Sequence, residues 1–540
     1  MLNATRGTSR RDFFKLTGSL GLAAGFAATL SACGSKKEGE AQGSSNAAAS
    51  KDGVIKAGIS YELGTNGYDP MTTTSALTLA ANWHTLEGLT ELDPVSTQAY
   101  AALGKELPVK VDDTTYEVTL RDGAVFSTGE AVTVDDVVYS FERVLDPANK
   151  SLYATFLAFL DSVSAKDEST VVIKLKYAFS LVAERLSVVK IVPKALVDTE
   201  DKRKEFDRNP VGTGAYIMTD NGAASQTVLF ERNEKYNGPK PALAAKMIWN
   251  IMPENTTRTN ALTSGTVQAI DAVSATDLTA MKDPNKVAAL QGFGLVFMMF
   301  NCDASNPMSD VKNRQAILYA VNYDEICTKG MADLATPATC FVQKEHPTYK
   351  EASTVYTHDV EKAKSLLAET GLKKVRLLCS DHGWFSQVRP TIKQNLEAAG
   401  LEVVFEEKKS SDVYSTIDGN PEAYDVVLAP GDPSVFGQDA DLLMRWWYAG
   451  DTWTDQRMHR KGSAEYTKVQ ELLDRAVQVE GDEQLKVWHD LYDYISEVVP
   501  LYPLFHRKTP TAYNAQTLVD FKPIAITGLS FVGVGTTLSE

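Results

Sequence analysis

The residue types that could carry chemistry are few and scattered. The seven histidines are His84, His346, His358, His382, His459, His489 and His506, and no two stand four apart around a carboxylate, as a helical zinc-protease pair would. GxSxG and GxxxxGK[ST] are absent, and Gly292-Phe293-Gly294 lacks the third glycine of a dinucleotide loop. The Gly-Thr-Gly of residues 212–214 is followed by no Lys-Ser/Thr, which weakens a phosphate-loop reading. Beyond Cys33 the cysteines are Cys302, Cys327, Cys340 and Cys379, none at CxxC spacing. Two readings stay open for them: disulfides, with Cys327 to Cys340 closing the shortest loop, or buried thiols. These absences predict no enzyme, no metal and no cofactor.

The richer cluster is residues 427–453, where Trp446, Trp447, Tyr448 and Trp453 crowd a polar, glycine-rich stretch. Flat rings on such a stretch can wall a ligand at little cost in rotamer entropy; core packing of the tryptophans fits as well. One further residue has chemistry of its own. Residues 30–33, Leu-Ser-Ala-Cys, resemble a lipobox, whose small residues admit the signal peptidase and whose thiol takes the lipid. Residues 9–15, SRRDFFK, resemble the twin-arginine consensus, and residues 16–30 are too short and weak for a good membrane span. Residues 1–32 therefore read as an export signal and Cys33 as the lipidation site, two acyl chains giving a stable anchor. Residues 33–52 read as a flexible tether. The location implied is extracytoplasmic, on the cell membrane.

The chain has 540 residues, too many for one core, and its formal net charge is −16. The leader holds Arg6, Arg10, Arg11 and Lys15 against Asp12, so the remainder is more acidic still. Such a body argues against nucleic acid and against broad contact with anionic lipid.

The elements that must position any site are clearest at residues 112–147. Tyr116, Val118 and Leu120 alternate with polar residues, predicting a strand. Asp122-Gly123 and residues 127–130 are turns. Thr133 is a candidate N-cap with Asp136 as its capping-box carboxylate. Val137, Val138, Phe141, Val144 and Leu145 form one helical stripe that stops before Asp146-Pro147.

This block resembles the signature of the peptide/nickel-type solute-binding proteins that serve ABC importers. The matching residues are Leu120-Arg121-Asp122-Gly123, Phe126, Gly129-Glu130, Thr133, Asp135 to Val138, Ser140-Phe141 and Glu142-Arg143. Ser127-Thr128 departs from the family's His-Asp, and residues 107–111 lack the Trp often seen upstream. Further resembling blocks follow in order at residues 209–216, 231–236, 255–268, 310–324 and 359–371. The apolar run 295–301 reads as a strand buried on both faces, residues 499–505 as its return, and residues 375–406 as strand, helix and parallel strand.

The resemblance implies an α/β fold of two lobes joined by two crossing strands. Lobe I would comprise residues 53–295 plus 506–540, with an extra subdomain at roughly 70–205, and lobe II residues 296–505. It implies a monomeric, non-enzymatic receptor that captures an oligopeptide or dipeptide and delivers it to the importer's membrane subunits. A metal chelate or oligosaccharide is the rival ligand, and an exported cofactor-dependent enzyme the rival of another class. The ligand-binding candidates are Tyr61 and Glu62 after the first strand, Asn301 and Trp384, and Asp432, Trp446, Trp447 and Trp453. In peptide-binding members an aspartate pairs with the peptide ammonium; its position here is Ala429. Asp432 is the first substitute and Glu62 the second, or the ligand has no ammonium.

Overall fold

The apolar run at residues 295–301 belongs to a strand of 16 residues, Asn285–Phe300, in the computed structural model, which describes residues 48–61, 63 and 67–539. Residues 295–300 are all buried, as an unbroken apolar run requires. The antiparallel partner is Leu501–Asn514, longer than the return expected at 499–505. This crossing pair stands in the middle of an eleven-stranded mixed sheet. From the return strand the sheet continues through Ala269–Ile270, Val54–Ile59, Lys246–Ile251, Thr227–Arg232 and Tyr216–Asn221. From the first crossing strand it continues through Val426–Gly431, Lys374–Ser380 and Glu402–Lys408. The last three pair in parallel, with helix Val388–Ala398 as a crossover, as strand, helix and strand at that spacing predict.

The signature block builds a separate four-stranded antiparallel sheet in the order Val109–Asp112, Thr115–Thr119, Thr170–Leu175, Leu160–Ala165. Helix Val134–Leu145 packs on it through Val137, Phe141 and Val144. Its capping box is complete: Asp136 N–H donates to Thr133 Oγ1 (3.2 Å), and Thr133 N–H donates to Asp136 Oδ2 (3.0 Å). The C-terminal tail returns to the first strand, where Leu518, Phe521, Leu529, Phe531 and Val534 share a core with Ile55, Phe230 and Trp249.

Residues 77–89 read as one helix in sequence, but the helix is Ala76–Thr85. Leu86 is extended, and at Gly88 a side chain would meet backbone oxygens of Thr90 and Val189 at 2.8 Å, so the chain turns there toward strand Thr90–Leu92. The four cysteines are unpaired thiols; burial pushes Cys327 up to about 12 and Cys340 up to about 11.

Candidate functional site

The crossing pair is irregular between Gln291 and Leu295, which is where Gly292-Phe293-Gly294 sits. A Cβ on Gly292 would lie 1.9 Å from the Ala525 carbonyl oxygen. One on Gly294 would lie 3.1 Å from Arg507 Nε and 3.3 Å from Asp432 Oδ2. Neither glycine has a positive φ. The two are small because the tail and two charged side chains converge on this bulge.

Arg507, on the return strand, is 6% exposed. Its Nη2 donates to Tyr61 Oη (3.1 Å) and to Thr527 Oγ1. Its guanidinium lies 4.6 Å over the Trp384 ring. Thr527 in turn donates from N–H (2.9 Å) and Oγ1 (2.6 Å) to Asp432 Oδ2. Burial works against the Arg507 charge, but Tyr61, Asp432 and Asp271 together hold its pKa above the usual value. The site therefore gathers the loop after the first strand, both crossing strands, the loop after Val426–Gly431, the short turn Gly383–Phe385 and the tail. The Tyr61 loop is anchored by Ser60, whose N–H (2.7 Å) and Oγ (2.8 Å) donate to Asp271. Burial raises the Tyr61 phenol, with Arg507 opposing. Beside it, burial holds His382 down to about 4, with Arg507 and Arg389 adding to the effect.

Of the residues picked from sequence, Tyr61, Trp384 and Asp432 come together here. Glu62 lies outside the described residues, as do Cys33 and the leader. Asn301 is corrected to a structural role: its amide donates to the Pro421 (2.5 Å) and Tyr424 (2.9 Å) carbonyls, and its oxygen accepts from Asp303 N–H (3.1 Å). The aromatic wall is corrected too. Trp446 stacks on Phe156 at 5.7 Å, Trp447 meets Trp453 at 4.6 Å and Phe297 at 4.9 Å, and all three indoles are buried in the core. Trp447 fills the space left by Gly431, just before Asp432, so it braces the site without lining it.

Asp432 is not a free acid. Its Oδ2 takes both Thr527 donors and its Oδ1 takes Ser434 N–H (3.3 Å) and Oγ, capping the turn Pro433–Val435. Ala429 is buried on a strand opposite Phe297. Sequence reasoning missed Arg507 and Thr527. The signal for Arg507 was available: His506-Arg507-Lys508 interrupts an apolar strand in the middle of the fold.

Next to the Asp432–Thr527 contact is a pocket partly open to solvent. Leu79, Trp83, Tyr153, Val188, Phe436 and Ile526 give it an apolar lining. Lys190 and Glu91 pair at its wall at 2.5 Å.

Residues 98–467 match the family model for bacterial extracellular solute-binding proteins, family 5. The chain belongs to this family. Among curated relatives, heme-binding protein A of Haemophilus influenzae is 31% identical over 307 residues, covering 52% of this chain and 56% of that protein. The dipeptide-binding protein of Escherichia coli is 27% identical over 333 residues, covering 57% and 62%. The chain thus spans about three fifths of the length of the curated relatives it matches. Among solved structures, AgaA of A. tumefaciens R10 with agropinic acid gives a TM-score of 0.80 at 23% identity, covering 90% of this chain and 99% of that one. A dipeptide-binding protein of Pseudoalteromonas sp. SM9913 with Met-Leu gives 0.77 at 18%, covering 89% and 100%. The two-lobed α/β fold of these proteins is the fold of this chain.

Proposed function

We propose that this chain is the extracytoplasmic receptor of an ABC importer, a monomer anchored through lipid on Cys33, and not an enzyme. It captures a short peptide or peptide-like acid between its lobes, the two flanks of the sheet, and delivers it to the importer's membrane subunits. The observation that carries this reading is the buried polar cluster at the bulge of the crossing strands. It draws on both flanks and the tail, so a ligand there contacts both lobes at once only when they are closed. Ligand then shifts an open–closed equilibrium. The adjacent apolar cavity suits a ligand side chain. An affinity of about micromolar, roughly −8 kcal/mol, suits capture and release.

A second ligand reading has specific support. With Ala429 at the usual acid position and both Asp432 oxygens occupied, no described acid is free here for a peptide ammonium. A non-peptide acid, such as the agropinic acid bound by AgaA, fits that arrangement.

A melting screen over short peptides, opines, sugars, heme and nickel chelates tests the receptor reading. A true ligand at a hundredfold excess over Kd should stabilise the protein by about 2.7 kcal/mol. If no class raises the melting temperature, the receptor reading fails; if only non-peptides do, the peptide assignment fails. Anchoring is tested separately. Cys33→Ala should move the protein from the membrane fraction to the soluble one, and continued retention would refute lipidation there.

A further inference from the structure

We propose that Arg507 and Trp384 hold an anionic group of the ligand, a carboxylate, at the bulge of the crossing strands. The inference rests on the receptor reading and names what that site selects. A buried guanidinium is costly unless its donors and charge are answered. Other buried arginines have their charge answered by a carboxylate, even where an Nε is left over, as in Arg143 and Arg185. Arg185 pairs with Asp439 and Asp441, Arg314 with Glu465, and Arg445 with Asp441 and Asp474. Arg258 spends its donors on the carbonyls of Met252, Pro253, Asp271 and Ala272. Arg507 differs. Among the described residues its hydrogen bonds go from Nη2 to two neutral hydroxyls and from no other nitrogen, and its Nε has no partner.

A second buried donor stands beside it without a partner, the indole N–H of Trp384. The guanidinium lies 4.6 Å from the centre of the Trp384 ring, so the two unpartnered donors belong to neighbouring side chains. Gly294 crowds neither of them with a side chain: a Cβ there would lie 3.1 Å from Nε. Asp432, the nearest acid on the second flank, is already engaged by Thr527 and Ser434. Arg460 also has unpartnered nitrogens. Its surroundings, Cys302, Arg314, Tyr448 and Glu465, all come from one flank, away from the crossing. A planar guanidinium with an unpartnered Nε and no direct carboxylate partner favours a carboxylate over a neutral amide.

The test is calorimetric titration of Met-Leu, its C-terminal amide, agropinic acid and mannopinic acid into the full-length wild type, Arg507→Gln, Arg507→Lys and Trp384→Phe. The expected result is binding of at least one acid by wild type. For an acid that has its amide in the set, amidation should weaken binding at least thirtyfold. Arg507→Gln should abolish binding of the acid or its advantage over the amide, and Trp384→Phe should weaken the acid about tenfold while keeping the stacked ring. Equal binding of acid and amide by wild type overturns the inference, as does an Arg507→Gln protein that binds the acid like wild type. Should Arg507→Gln fail to fold, Trp384→Phe and Arg507→Lys decide: both binding the acid with wild-type affinity overturns it. If no acid binds, the inference falls; the receptor reading survives in that case only if a neutral solute binds.

Discussion

Arg185 should be among the costliest single side chains to remove from this protein. It is fully buried, and it joins helix Val182–Leu186 to the start of helix Ala440–Tyr448. Nη2 meets Asp439 Oδ1 at 2.6 Å, and Nη1 meets Asp441 Oδ2 and the Phe156 carbonyl, each at 3.0 Å. Asp439 also caps helix Ala440–Tyr448 through Leu442 N–H (2.9 Å), and Asp441 also accepts from Arg445 (2.6 Å). A pair near 4 Å at an effective dielectric of about 20 is worth roughly 4 kcal/mol before desolvation. Breaking a buried pair from one side costs about 3–5 kcal/mol. Arg185→Met should fall at the lower end, about 3 kcal/mol. The reason is that Asp441 keeps Arg445, and Asp439, with its side chain 18% exposed, keeps the cap and some water.

Urea unfolding followed together by far-ultraviolet circular dichroism and tryptophan fluorescence measures this. Coincident transitions are required before one free energy is assigned, since a two-lobed protein need not unfold in one step. A double-mutant cycle of Arg185→Met with Asp441→Asn should show coupling above about 1 kcal/mol. A loss below about 1 kcal/mol for Arg185→Met, or coupling near zero, would refute the claim that these charges are buried and interdependent.

The remaining expectations concern single sites. Burial holds His84 neutral down to about 4, with Nδ1 donating to Ala80 O (2.7 Å) and Nε2 accepting from Phe531 N–H (2.9 Å). Its folded pKa is depressed, so the unfolded chain binds the extra proton. The contribution, about 3 kcal/mol at most, is complete above pH ~6.5 and is lost as pH falls toward 4; an NMR titration showing His84 charged at pH 5.5 would refute it. Gly292→Ala would drive a methyl into the Ala525 carbonyl and should cost about 1–3 kcal/mol or more, read as a lowered melting temperature. The four thiols beyond Cys33 are free, so dithiothreitol should leave the melting temperature unchanged, and thiol titration of the unreduced, denatured protein should find all four.

Legibility followed the range of the forces involved. Helix Val134–Leu145 and its Thr133–Asp136 box were readable because capping and a 3.6-residue stripe are local. The first crossing strand was readable from residues 295–301, yet its N-terminal part, residues 285–294, was not. Residues 285–291 of that part are exposed or half-exposed, and only pairing with the return strand makes them extended. The tryptophans of 446–453 were ambiguous for a physical reason. An aromatic cluster looks alike in sequence whether it lines a cleft or fills a core, and here Phe156 and Phe297, distant in sequence, decide for the core. Arg507 and Tyr61 stand 446 residues apart, so no local pattern could pair them.

The same long-range closure changes what the site selects. From sequence, Asp432 beside a vacant Ala429 is a substitute partner for a ligand cation. In the fold, Thr527 returns from the tail and takes Asp432 Oδ2, while Ser434 takes Oδ1. Further donors could still approach these oxygens, but the carboxylate is already solvated by the protein and gains less from a ligand ammonium than a bare one would. The unpartnered atoms at the bulge include two donors, Arg507 Nε and Trp384 Nε1, and one acceptor, His506 Nε2, whose Nδ1 donates to the Phe293 carbonyl. The buried guanidinium charge tips this cluster toward an anionic acceptor. The polarity of recognition is therefore set by Thr527, a residue 95 positions beyond Asp432. Thr527→Val should accordingly loosen the preference for acids, because it removes the Oγ1 donor from Asp432 Oδ2, leaving only the backbone N–H there, and takes away an acceptor of Arg507, so that Asp432 competes better for the guanidinium.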